Sequence, residues 1–215
     1  MKLRLFPLAR VVLFPGMPLS LQVFEERYRT LVAECIEARE PFGVVLIREG
    51  SEVGGPAVPH GIGCAARLTS VIGGPSGMLH VTAIGERRFR IVALHDDRPY
   101  LSADVEFPVD EVAVVPSALI EQARAGLQQL ERLRATAEGG YVHEPNAPEA
   151  PGPLADRIAA LALAAADDRQ PLLEQLDAGR RLEVALPLLE RAIIDQHAIA
   201  STVAAARWAG FGAAN

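Results

Sequence analysis

The 215-residue chain contains one lysine, Lys2. A phosphate-binding Gly-x-x-x-x-Gly-Lys loop needs a lysine against the phosphates, and a Ser–Lys hydrolytic dyad needs one as its base. Neither can be assembled from the rest of the chain. Cysteine is almost as scarce. Cys35 and Cys64 lack Cys-x-x-Cys spacing; they are compatible with free thiols in a reducing compartment, and nothing calls for a disulfide. There is no Gly-x-Ser-x-Gly elbow, and the five histidines, His60, His80, His95, His143 and His197, never adopt His-Glu-x-x-His spacing. No metal site or cofactor is therefore expected. Aromatics make up only 5% and the net charge is −6, which argues against stacking on nucleic acid. The pairs Arg87-Arg88 and Arg180-Arg181 are too small to form a phosphate-tracking stripe. Long apolar runs are missing too. Val11–Phe24 is uncharged, but Pro15, Gly16 and Pro18 break it, no small-x-small cleavage site follows, and Glu25-Glu26-Arg27 ends it. The expectation is a cytoplasmic protein with neither export signal nor membrane span.

What the chain does have is a globular composition, half apolar and 22% charged, at a length able to bury a real core. Phe14-Pro15-Gly16-Met17 suits a type II turn, with proline setting the first central dihedral and glycine accepting a positive φ at the second. Leu19, Leu21 and Val23 then alternate with polar residues, as in a half-buried strand. From Glu25 the period changes. Tyr28, Leu31, Val32, Cys35 and Ile36 share one face of an amphipathic helix, and Val44–Ile47 reads as a buried strand. Residues 48–60, rich in glycine and proline, read as a loop. Alternation returns around Ile62–Leu68, Leu79–Ala83, Phe89–Ala93 and Leu101–Phe107, with Gly73–Gly77 as a turn. Beyond about residue 115 the pattern is helical. Ser117 is placed to cap a helix carrying Leu119, Ala123, Leu127 and Leu130, and Pro153 to open another. Asp168 and Asp177 are placed to cap two more, the last a long one carrying Leu182, Leu186, Leu189 and Ile193, with Pro187 expected to kink it. Residues 139–153 have the composition of a mobile loop.

Two local patterns invite a chemical reading. Gly61-Ile62-Gly63-Cys64-Ala65-Ala66 matches a dinucleotide fingerprint ending in Ala, but that chemistry needs glycines at a strand-to-helix turn. Here they precede period-2 alternation, so a strand start is expected. Arg87, Arg88 and Arg90 lie on a strand; they read as a solvated face, or as anion contacts.

Three ordered segments carry a family resemblance: "FPLARVVLFPGMPLSLQVFEERYRTLV", "HGIGCAARLTSVIGGPSGMLHVTAIGERRFRIV" and "YLSADVEFP". Together they resemble the LON substrate-binding domain, found at the N-terminus of ATP-dependent Lon proteases and as free-standing bacterial proteins. The later stretch "LADRIAALALAAADDRQPLLEQLDAGRRLEVALPLLERAI" is similar to the helical part that follows it. The resemblance implies an α+β chain: a PUA-like, mainly antiparallel β barrel with an embedded helix (1–115), then an α-helical bundle (116–215). It also implies that ATPase and peptidase chemistry belong to other domains, in agreement with the missing lysine. The expected function is non-catalytic binding of unfolded or flexible polypeptides, in cooperation with a protease or chaperone and with homo-oligomers open. A groove between barrel and bundle would accept the ligand's apolar side chains, and a shared edge strand would add main-chain pairing. Candidate contacts are Phe14, Met17, Tyr28 and Phe42. Phe14 and Met17, which flank the turn, are expected to be the more exposed, and core packing is the competing reading for all four. The alternative is RNA binding through the PUA-like fold, with Arg87, Arg88 and Arg90 on phosphates.

Overall fold

The turn at Pro15-Gly16 forms as its residues demand. Gly16 sits at φ 76°, and the Met17 N–H donates to the Phe14 carbonyl over 3.2 Å. The structure, a computed structural model, describes residues 1–52, 57–111, 114–138, 145–163 and 165–212, apart from the side chains of 76 and 203–212. Around the turn lie β1 (Lys2–Leu8), β2 (Pro18–Val23) and α1 (Glu26–Ala38), followed by β3 (Phe42–Gly50), β4 (Ala57–Pro59), β5 (Ile62–Gly73), β6 (Leu79–His95) and β7 (Ser102–Glu106). Strand structure thus enters the 48–60 segment expected to be a loop, because β3 runs on to Gly50 and pairs with β4. The helices are α2 (Ser117–Ala137), α3 (Pro151–Ala162), α4 (Ala166–Glu174) and α5 (Ala178–Gly212).

The strands form one mainly antiparallel sheet in the order β1-β7-β6-β5-β3-β4. Since β1 also pairs in parallel with β3, the pairings β1-β7-β6-β5-β3-β1 run in a closed circuit. Alternate residues of these strands feed two cores. Leu3, Leu5, Val45, Ala65, Phe89, Ala103 and Val105, drawn from all five strands of the circuit, pack together. The opposite parity, Phe6, Leu8, Phe42, Val44, Cys64 and Ala66, packs under α1 against Tyr28, Leu31, Val32 and Cys35. Gly63 belongs to this packing and not to a nucleotide. A Cβ there would stand 2.6 Å from Cζ of Phe89 and collide with the Val44 carbonyl. The fingerprint-like glycine makes room for a ring.

The chain divides into two compact units: 1–110 with 164–176, and 111–163 with 177–215. A single division near residue 115 therefore misses α4, which clusters with the sheet unit. The anchor is Arg88, whose Nε donates to the Leu173 carbonyl of α4 over 2.8 Å. Gln170 adds a bond to the Ile62 carbonyl, and His60 lies 3.3 Å from the Glu174 carboxylate. Within the helical unit α2, α3 and α5 share a core of Leu127, Leu130, Leu154, Ile158, Leu182 and Leu189. The buried Arg181 and Asp156 pair inside it, Nε to Oδ1 at 3.0 Å.

Several helix starts differ from the sequence reading. Ser117 is the first helical residue behind Pro116 and makes no capping bond; α3 opens at Pro151, and α4 starts before Asp168. Asp177 does cap α5, its Oδ1 accepting the Arg180 N–H at 2.9 Å, and α5 runs on through Pro187. Of the loop expected at 139–153, residues 139–144 lie outside the described residues, as does His143. No helix among the described residues is long and apolar enough to cross a membrane.

Candidate functional site

β2 is paired on one side only. Pro18–Val23 runs antiparallel to Ile84–Leu79 of β6, and among the described residues no strand pairs with its other side. The ladder register says which groups are left over. The Gly85 N–H donates to the Met17 carbonyl at 2.9 Å, so by alternation Leu19, Leu21 and Val23 direct their N–H and C=O groups at β6. Ser20 and Gln22 direct theirs to the open edge.

That edge borders a groove of about 210 Å³. Phe6, Leu8, Val11, Leu21, Val23 and Tyr28 give it apolar walls. Phe24, directly after β2, leaves 62% of its surface in water at one end. A large exposed aromatic beside an unpaired strand is an informative combination, because such edges are usually blunted. Glu25 and Glu52 stand on the rim and are already engaged. Glu25 holds Arg27 at 3.0 Å, and the Glu52 carboxylate accepts the Ala9 N–H at 2.7 Å while its carbonyl accepts Arg27. Tyr28 stacks on Phe6 at 4.1 Å between centroids, and the Arg27 guanidinium lies 4.5 Å from its ring. Burial pushes the Tyr28 hydroxyl up to about 12, so it stays neutral and makes no base. A second hollow of about 240 Å³, lined by Pro7, Arg27, Pro99, Tyr100 and Leu101, shares Tyr28 with the first. Among the described residues no three His, Cys, Asp or Glu side chains gather to hold a metal ion.

The candidates named from sequence separate here. Phe14 and Phe42 are wholly buried, which corrects the expectation that Phe14 is exposed beside its turn. The turn folds down onto β6, with Gly16 N–H bonded to the Gly85 carbonyl, and carries the ring inward. Met17 is half-buried against the core under α1, and Tyr28 lines the groove. The arginine cluster does not form a common face. An extra residue at Glu86, where β6 bulges against β5, precedes Arg87 and Arg88. Arg88 is only 4% exposed, held under α4 with its Nη1 3.8 Å from Asp110, and offers nothing to a phosphate. Arg87 lies 3.6 Å over the Phe107 ring, and Arg90 is exposed. The free edge of β2 and the exposure of Phe24 went unseen in the sequence, whose alternation at 19–23 marks a strand but not its neighbours.

The substrate-binding domain family of ATP-dependent protease La (LON) matches residues 2–191. The chain belongs to the LON substrate-binding domain family. A Lon protease of Paraburkholderia phytofirmans is 33% identical over 189 residues, and one of Roseiflexus castenholzii is 32% identical over 191. These alignments cover 85% and 88% of this LON domain chain, which spans about a quarter of the length of either relative (23% and 24%). Among solved structures, a Lon N-terminal domain protein from Xanthomonas campestris superposes with a TM-score of 0.66 at 29% identity, covering 87% of this chain and 98% of that one. The N-terminal domain of the Mycobacterium avium complex Lon protease gives the same TM-score at 21% identity, over 88% of this chain and 98% of that one, and so speaks for the fold alone.

Proposed function

We propose that this LON-family chain is a non-catalytic module that holds an extended, unfolded polypeptide segment by strand addition to β2. The observation that carries the reading is the unpaired edge of β2 lying along an apolar groove that ends at the exposed Phe24. An incoming strand would pair its main chain with Ser20 and Gln22, which is independent of sequence, while alternate side chains enter the groove. Such a mode suits a substrate-binding domain that must accept many chains. Of the contacts named from sequence, Tyr28 takes part as a groove wall and Met17 stands next to β2. We read the closed pairing circuit with its embedded helix as a PUA-like barrel whose strand β2 is left outside the circuit, and place the protein in the cytoplasm.

The test is fluorescence anisotropy with a short dye-labelled peptide alternating Val and Thr. Ser20→Pro removes an edge-facing N–H that makes no ladder bond to β6, so the fold tolerates it, as far-UV circular dichroism verifies. Binding should weaken about tenfold, equivalent to about 1.4 kcal/mol. Phe24→Asp should weaken it similarly through lost apolar contact. A peptide N-methylated at alternate residues should bind only in the register that leaves its N–H groups free to pair. Unchanged affinity for both variants would sink the reading.

A further inference from the structure

The helical unit carries a cleft that peptide binding does not use. Arg124, Gln128 and Arg132 stand at i, i+4 and i+8 on α2, on a different side from the core-facing Ala123, Leu127 and Leu130. With Pro145, Asn146 and Ala147 they line an open space of about 550 Å³. Gln128 Nε2 donates to the Pro145 carbonyl at 3.2 Å and so pins the opposite wall.

Two features set this cleft apart from an ordinary solvated helix face. Two other arginines of the helical unit are occupied: Arg134 bonds the Leu161 carbonyl, and Arg157 grips Glu131 at 2.6 and 2.9 Å. Among the described residues, the guanidinium groups of Arg124 and Arg132 meet no hydrogen-bond or ion-pair partner. In addition, Arg124 Nε is buried and meets no acceptor among the described residues. A buried donor left unpaired costs about 1–3 kcal/mol and calls for an explanation. Glu131, the carboxylate adjacent in sequence to Arg132, is drawn away to Arg157 and does not neutralise the pair.

We propose that this cleft is a binding site for a small phosphate-bearing ligand. Two guanidinium forks match the several acceptor oxygens and roughly double charge of a phosphate or diphosphate, where a single carboxylate would engage only one fork. The two helix positions are about 12 Å apart along the axis, which long arginine side chains bridge onto neighbouring phosphate groups. Gln128 and Asn146 add neutral amides, and the walls offer little apolar surface beyond Pro145 and Ala147, so the ligand is polar throughout. The volume lies in the range of small-molecule sites.

Isothermal titration calorimetry with pyrophosphate at fixed ionic strength tests it. One saturable site is expected, weakened about tenfold by Arg124→Gln and about tenfold by Arg132→Gln. Arg191→Gln, on α5 beside Asp195, should leave binding unchanged. Arg132 is exposed, so its variant keeps the assay meaningful even if Arg124→Gln disturbs the fold. Absence of a saturable site, or a titration unaltered by Arg132→Gln, would overturn the proposal. So would succinate binding as tightly as pyrophosphate, which would reassign the cleft to carboxylates.

Discussion

Gly85→Ala puts the architecture of the groove to a quantitative test. Gly85 lies on β6 where the Phe14–Met17 turn touches down, and two backbone bonds fasten the turn there. Gly16 N–H donates to the Gly85 carbonyl at 2.8 Å, and Gly85 N–H to the Met17 carbonyl at 2.9 Å. A Cβ at position 85 would run into the Phe14 carbonyl oxygen and approach Cys64 Sγ at 3.1 Å. The obstacle is backbone, so no rotamer change relieves it, and the turn must retreat by roughly 1 Å to reach ordinary contact. Overpacking of this kind costs about 1–3 kcal/mol. Straining the two bonds adds up to about 1 kcal/mol each, while the lower entropy of the unfolded alanine chain returns roughly 0.5 kcal/mol. The net loss should be about 0.5–4.5 kcal/mol, at its upper end a large share of a stability on the order of 5–15 kcal/mol. Urea denaturation followed by circular dichroism reads it directly. Gly61→Ala is the control, because a Cβ there meets nothing within 4 Å. Because β2 leaves the turn directly, Gly85→Ala should also weaken peptide binding at the groove. A loss no greater than that of Gly61→Ala would refute the reasoning.

Two further expectations concern charge. The Glu34 carboxyl is held below its ordinary value, first by the Tyr100 hydroxyl donating at 2.6 Å and then by Arg4 at 3.1 Å. A depressed carboxyl lends stability that is present above its unfolded pKa, about 4.3, and is lost as pH falls through the folded value. The stability gap between the native chain and Glu34→Gln should thus be widest near neutrality and close in acid below about pH 4. Urea midpoints at neutral and acidic pH that differ by the same amount would contradict this. Asp156→Ala leaves Arg181, 0% exposed, without its carboxylate, and should destabilise the helical unit by about 3–5 kcal/mol. Thermal or urea unfolding showing a loss below about 1 kcal/mol would rule out the pair as a major contributor.

How much was legible in the sequence can be read off individual residues. Pro15-Gly16 announced its turn because only glycine accepts the required φ cheaply, and Tyr28, Leu31, Val32 and Cys35 announced α1 by their spacing. The glycines at 61 and 63 mark a strand start through the alternation that follows them, and β5 begins at Ile62. Helix starts were less legible at Ser117 and Asp168, where an available cap side chain went unused and proline or alanine took the position. The candidate site divided along the same line. The helical spacing points to Tyr28, but no local pattern points to Phe24, and the turn that places Phe14 at the surface in sequence carries it inside in the structure.

The sequence by itself determined most of what is governed by periods of two and 3.6 residues and by the special dihedrals of proline and glycine. Those are the elements, the faces they bury, and the exclusion of lysine-dependent phosphate chemistry. Its ordered segments also carried the family. The tertiary structure alone decided which edges remain unpaired and which charges are covered. Arg88 reads as a surface cation until α4 offers its Leu173 carbonyl, and β2 reads as any half-buried strand until β6 pairs with only one side of it. Those outcomes depend on partners distant in the chain, Arg88 and Leu173 being 85 residues apart, and no local pattern encodes the identity of a distant neighbour.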